Sequence, residues 1–225
     1  MECHPARPVH APGGKFHLDG TAKIWDATTG TELVTLFGHT EPVAQVAWSP
    51  TGDRILTASY DGTVKVWDPD PTLLTLAGLE DTVGCVVWSL RGDRVAVGTG
   101  DGTAKVLDAN TGEELVTFTG HTRNVWRIQW ACKGERLFTC SADDTVRVWD
   151  TATSAELLRY DVEGYVEAAL SPDETRIAMS LTPPGLLRVF PTWQTLEELM
   201  DYARECCVVR ELTDAEREML GLPVR

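Results

Sequence analysis

The sequence predicts an all-β fold built from repeated four-stranded units, and three observations carry that prediction. An eight-residue phrase recurs as "DGTAKIWD" (Asp19–Asp26), "DGTVKVWD" (Asp61–Asp68), "DGTAKVLD" (Asp101–Asp108) and "DDTVRVWD" (Asp143–Asp150), with a worn copy "GLLRVF" (Gly185–Phe190). Its closing apolar residue falls at Trp25, Trp67, Leu107, Trp149 and Phe190, at spacings of 42, 40, 42 and 41. Apolar residues alternate inside each period, and a regular period with strand-like alternation means stacked or radially arranged β units.

The best-formed unit runs from Gly38 to Gly78. Its segments "VAQVAW", "RILTAS", "TVKVW" and "TLLTLA" are strand-length and rich in β-favouring residues. They are separated by Ser-Pro-Thr-Gly, Tyr-Asp-Gly and Asp-Pro-Asp-Pro, which are turn formers. Four short antiparallel strands per unit follow. In "TVKVW" the two-residue period sends Val64 and Val66 to one face and Thr63, Lys65 and Trp67 to the other. A single four-stranded sheet cannot cover both of its faces, so neighbouring units must do so, and radial packing is the usual solution.

In order, the chain then reads as an irregular segment 1–18, a partial unit 19–38, full units 38–78, 78–120 and 120–162, a last unit 163–190, and a tail 191–225. The partial unit supplies only the third and fourth strands. The last unit, "YVEAALSP", "RIAMS" and "LLRVF", lacks a fourth. In the tail the pattern becomes helical. Thr195 with Glu198 and Thr213 with Glu216 make two capping boxes, and Gly221 and Pro223 end the second helix, predicting a helical hairpin.

The Gly-His pairs (Gly38-His39, Gly120-His121), the turn Asp and the terminal Trp-Asp resemble the WD40 repeat of β-propellers over residues 19–190. The resemblance implies about four four-stranded blades in a partial or incomplete ring, with a short C-terminal helical extension. It also implies closure of the last blade by an N-terminal strand, for which Thr31–Gly38 is the candidate. Three arrangements follow: the C-terminal piece of a larger propeller protein, a homodimer that completes the ring with a second copy, or an open arc of four blades. The segment "TLEELMDYARECCVVRELTDAEREMLGL" resembles the terminal extension of bacterial WD40 proteins of the signal-transducing NTPase (STAND) class.

His39, Ser59 and Asp61 have the residue types of a nucleophilic relay. The set recurs at the same offsets as His121, Ser141 and Asp143, each followed six residues later by Trp67 or Trp149. An enzyme needs one such site, whereas a repeated structure needs one per unit. An indole N–H only donates and a carboxylate only accepts, so a chain from Trp through Ser and His to Asp satisfies every group. The WD40 resemblance implies the same structural tetrads, so no catalytic residue is assigned. The 78–120 unit has Leu79 and Leu107 in the His and Trp places, and the last unit lacks Gly-His and ends in Phe190-Pro191; both must rely on apolar packing.

A net charge of −14 without any Lys/Arg run argues against nucleic acid and anionic membrane surfaces as partners. No apolar stretch reaches membrane-spanning length and the N-terminus lacks a signal-peptide core, so a cytoplasmic protein is expected. The six cysteines, Cys3, Cys85, Cys132, Cys140, Cys206 and Cys207, show no C-x-x-C pair. Cys3, His4, His10 and His17 match no metal-site spacing, so no metal or cofactor is expected. The expected function is a non-enzymatic scaffold or sensor that binds a protein or peptide, as the WD40 part of a signalling protein. Candidate partner-binding residues, placed by the repeat on one loop face, are Tyr60, Asn124, Trp126 and Tyr165. The alternatives are a hydrolase using the central channel, or a decayed gene fragment without function.

Overall fold

Alternating Val, Ile and Trp between Asp-Gly and Ser-Pro turns fold, as their period requires, into seventeen strands among the described residues. A computed structural model describes residues 19–68, 73–79, 81–131, 134–162, 165–171, 175–182 and 186–192. The chain divides into two units, residues 1–190 and 191–225. The expected irregular segment 1–18 and helical hairpin 191–225, with Cys3, Cys132, Cys206, Cys207 and the N-terminal histidines, lie outside the described residues apart from Pro191 and Thr192. No helix occurs among the described residues.

The first sheet pairs β1 (Ala22–Trp25) with β2 (Glu32–Leu36). The second contains β3 (Val43–Trp48), β4 (Ile55–Ser59), β5 (Thr63–Trp67) and β6 (Leu73–Gly78) in chain order. The third contains β7 (Val83–Trp88), β8 (Arg94–Thr99), β9 (Ala104–Asp108) and β10 (Glu114–Phe118). The fourth contains β11 (Val125–Trp130), β12 (Arg136–Ser141), β13 (Thr145–Asp150) and β14 (Glu156–Asp161). The last has three strands, β15 (Tyr165–Leu170), β16 (Arg176–Thr182) and β17 (Leu186–Pro191). Among the described residues these pairings are antiparallel between chain neighbours, as short turns require.

One expectation is corrected. Thr31–Gly38 does not close the last sheet: its strand β2 pairs with β1, Ala22 opposite Leu36 and Ile24 opposite Val34. The turn explains this choice. Asp26 Oδ1 accepts the N–H groups of Thr28 and Thr29 at 2.7 and 2.8 Å, and Gly30 N–H returns to Asp26 C=O at 2.8 Å, which folds β2 back onto β1. Asp108 and Asp150 make the same turn in the third and fourth sheets. The Asp of Trp-Asp is therefore a turn former.

The core lies between sheets rather than within one. Leu56, Ala58, Val64 and Val66 of the second sheet pack on Val83, Val86, Trp88, Val95 and Val97 of the third. Cys85, Ala104 and Val106 of the third meet Val125, Ile128, Trp130 and Leu137 of the fourth. Phe138, Cys140, Val146 and Val148 of the fourth meet Ala168, Ile177 and Met179 of the last. Burying such a side chain contributes about 1.5–3 kcal/mol, so these layers dominate the stability. Arg54 adds a polar clamp between two sheets. It donates to Gly92 C=O at 2.7 Å and Asn110 Oδ1 at 3.0 Å while its guanidinium stacks 4.9 Å from the Trp88 ring centre.

Cys85 and Cys140 are free, buried thiols. Burial pushes the Cys85 thiol up, so it stays protonated and donates to Val125 C=O at 3.4 Å.

Candidate functional site

The polar groups that recur with the repeat come together inside the second and fourth sheets. Register places them. Ile55 pairs with Trp67 and Thr57 with Lys65, so Thr57 and Trp67 share a face of the sheet. Trp67 Nε1–H donates to Thr57 Oγ1 at 2.9 Å, and that oxygen lies 2.7 Å from His39 Nε2. His39 Nδ1 lies 2.9 Å from Asp61 Oδ2. The fourth sheet repeats this with Trp149, Thr139, His121 and Asp143, at 2.8 Å from the indole to Thr139, 2.7 Å from Thr139 to the ring, and 3.0 Å from His121 Nδ1 to Asp143 Oδ2.

This corrects the sequence reading, which put Ser59 and Ser141 in the chain. Ser59 Oγ donates to Glu41 C=O at 2.9 Å and accepts Asp61 N–H at 3.1 Å. Ser141 Oγ does the same with Arg123 C=O and Asp143 N–H. Both serines tie the loop before the first strand of their sheet to the turn after the second. The nucleophile–base bond of a relay is therefore not formed at either site, because the histidine's Nε2 is taken by a threonine.

Donor counting fixes the protons. Thr57 Oγ1 receives the indole hydrogen, so its own hydrogen goes to His39 Nε2 and the Nδ1–H donates to Asp61. Burial pushes the His39 imidazole below its ordinary value, outweighing the upward pull of Asp61, and His121 behaves alike. Burial also pushes the Asp61 carboxyl up. The Thr63 hydroxyl, Thr40 N–H, His39 and Thr63 N–H outweigh that push and hold it at about 2. Asp143 is held at about 2 by the corresponding donors. Thr63 and Thr145, unassigned by sequence, donate to Asp61 and Asp143 at 2.6 and 2.7 Å. The recurrence of Thr in the third place of every Asp-Gly-Thr or Asp-Asp-Thr phrase was the available signal.

The third sheet answers the same positions with apolar groups. Val97 pairs with Lys105 as Thr57 pairs with Lys65, and Val95 pairs with Leu107 as Ile55 pairs with Trp67. Val97 and Leu107 are fully buried, with Leu79 packed beside them. The last sheet has Met179 in the corresponding place, also fully buried. Removing the Trp, Thr and His groups together leaves none of them unsatisfied, and the retained Asp101 accepts from the Thr99 hydroxyl and from Thr103 instead.

The candidate partner face is formed where the loop before each first strand is tied to the turn after the second. Tyr60 N–H bonds Pro42 C=O at 3.1 Å, Gly100 N–H bonds Thr82 C=O at 2.9 Å, and Ala142 N–H bonds Asn124 C=O at 2.9 Å. Tyr60 and Asn124 are both exposed at this end of their sheets. Trp126 falls at a register shift in β11 and is half-buried against the cluster containing Phe138 and Val148. Tyr165 begins β15, and its side chain lies outside the described residues. Among the described residues no group of three His, Cys, Asp or Glu could hold a metal ion. No described helix is long and apolar enough to cross a membrane.

Repeated four-stranded antiparallel sheets, packed face on face and tied by Trp–Thr–His–Asp chains, define a β-propeller repeat protein. The chain belongs to the WD40 repeat family: a profile described as "WD domain, G-beta repeat" matches residues 30–68, 71–108 and 112–150, more than half of its length. It is similar to coronin-7 of Rattus norvegicus, 36% identical over 69 residues, which are 31% of this chain and 7% of that protein. It is also similar to pre-mRNA-processing factor 19 of Oryza sativa subsp. japonica, 34% identical over 67 residues, 30% of this chain and 12% of that protein. Protein transport protein SEC13 of Chaetomium thermophilum is 49% identical over 61 residues, 24% of this chain and 20% of that protein. The chain thus spans a fifth or less of each of these relatives.

Proposed function

We propose that this chain is a non-enzymatic module that binds a protein or peptide through the loop face carrying Tyr60, Asn124 and Trp126, with Tyr165 placed there by the repeat. The observation that supports it most is the fate of the polar side chains. The Thr, His and Asp groups that could do chemistry are turned inward and bonded to one another and the Ser hydroxyls are bonded to backbone, while the loops tied to the strand ends present Tyr60 and Asn124 to solvent. Loops held on a rigid β scaffold are where recognition concentrates, and an exposed tyrosine is a common anchor. The names of the relatives, a protein transport protein and a pre-mRNA-processing factor among them, fit a module reused in different assemblies.

The module works in the cytoplasm as the WD40 part of a signalling protein, a reading supported by the tail's resemblance to STAND-class extensions. The test is affinity capture with the wild-type chain and with a Tyr60→Ala/Asn124→Ala double variant of unchanged melting temperature. A protein retained by the first and lost from the second supports the proposal. Equal retention by both, or retention by neither, removes this face from consideration.

A further inference from the structure

Among the described residues the first sheet holds only a third and a fourth strand of the repeat, which leaves one side of β1 without a neighbour. β1 itself packs on the second sheet as β5 packs on the third. Gly20 lies against the backbone carbonyls of His39 and Glu41, as Gly62 lies against those of Leu79 and Asp81. In the later sheets, however, the first strand rests on the first two strands of the sheet before it: β7 lies against β3 and β4, and β11 against β7 and β8. Val86, Trp88, Ile128 and Trp130 are buried by that contact. Their counterparts on β3, Val46 and Trp48, are 46% and 50% exposed, because the first sheet brings no such strands to them. Trp25 of β1 is 54% exposed for the same reason, whereas Trp67, with Ile55 of β4 paired beside it, is buried.

From this we infer that a partner polypeptide adds an extended strand to the open edge of β1, antiparallel to it, in the place that β4 takes beside β5. The internal pair gives the register, since β1 and β5 share the phrase Asp-Gly-Thr-x-Lys-x-Trp. Ile55 stands opposite Trp67, Leu56 opposite Val66, Thr57 opposite Lys65 and Ala58 opposite Val64. The added strand therefore carries an aliphatic residue opposite Ile24 and a small one opposite Ala22. Both turn toward Val46 and Trp48, as Leu56 and Ala58 pack with Val86 and Trp88. Its other face carries a second aliphatic residue opposite Trp25 and a hydroxyl opposite Lys23, which takes the Trp25 indole N–H as Thr57 takes that of Trp67. Such a strand continues an interface the chain already makes between its later sheets. Backbone pairing supplies affinity, and the alternate side chains select the sequence. This chain does not offer the pattern itself: 42 positions before Ile55, Leu56 and Thr57 stand Gly13, Gly14 and Lys15. A second copy does not offer it either, because its strands of this kind, β4, β8, β12 and β16, each lie between two partners.

The probe is the fluorescein-labelled peptide Asp53–Asp61, DRILTASYD, whose anisotropy is followed as the full chain is added. Saturable binding with a midpoint below about 100 micromolar is expected. Trp25→Glu and Trp48→Glu in the chain each weaken it about tenfold or more, with unchanged strand circular dichroism, because both side chains already face solvent. The peptide carrying Leu56→Asp does not bind, since it brings a carboxylate onto the Val46–Trp48 face. The Tyr60→Ala/Asn124→Ala chain binds the unaltered peptide as the wild type does, which separates this edge from the loop face. A wild-type chain that shows no saturable binding overturns the inference. So does undiminished binding by either Trp variant or of the Leu56→Asp peptide, and so does a loss confined to the Tyr60→Ala/Asn124→Ala chain.

Discussion

Trp67 and His39 are joined through one oxygen: Thr57 Oγ1 accepts the indole N–H at 2.9 Å and lies 2.7 Å from the imidazole Nε2. Two aromatic side chains from distant parts of the unit are thereby fixed edge to face, with ring centres 6.4 Å apart. Asp61 orders the far side of the imidazole.

Thr57→Val removes the shared oxygen and strands two buried groups, the indole N–H and His39 Nε2. The expected cost is about 2–4 kcal/mol, from roughly 1–3 kcal/mol for each unsatisfied group. Ser59→Ala, which only loosens the loop tie to Glu41, costs about 1 kcal/mol. Urea titration of both variants checks the order; a larger loss for Ser59→Ala would contradict the assignment.

The triple variant His39→Leu, Thr57→Val, Trp67→Leu copies the Leu79, Val97 and Leu107 set that the third sheet already uses. Its destabilisation falls below the sum of the three single variants by at least about 1 kcal/mol, because no buried polar group is left without a partner. Additive losses in a melting series would count against the tetrad acting as one unit.

Acid lowers stability through both tetrads. His39 and His121 titrate below their ordinary 6.5 in the fold, so the unfolded chain takes up protons first as pH falls and stability declines from that point. Asp61 and Asp143, held at about 2 against an ordinary 3.8, contribute stability that is complete above about pH 4. That contribution is lost between about pH 4 and 2. Melting temperatures measured from pH 7 to 3 should fall in two stages. The Thr57→Val/Thr139→Val protein should show a weaker first stage, since its imidazoles lose the hydroxyl that favours their neutral form.

The distinction between Thr57 and Ser59 was legible in the chain. Position 57 is hydroxylated only where the unit also has His and Trp, as at Thr139, and turns apolar at Val97 and Met179 where it does not. Position 59 stays polar at Thr99 even in the unit that has lost both. Alternation could not separate the two, because residues two apart on a strand point to the same face. Tyr60 and Asn124 were placeable by repeat arithmetic, since turns recur at fixed offsets. The half-burial of Trp126 was not, because it depends on a cluster that forms only once the fourth sheet has packed on the last.

The sequence by itself determined the repeat, the four-strand unit and the sites where the repeat loses its tetrad, since all of these follow from local period and turn chemistry. Only the tertiary structure decided that Thr31–Gly38 stays with its own sheet, and that one V-x-W pattern is buried at Val86 and Trp88 but open at Val46 and Trp48. Strand register and the presence of a neighbouring sheet set those outcomes. Both are properties of residues far apart in the chain, which a local pattern does not encode.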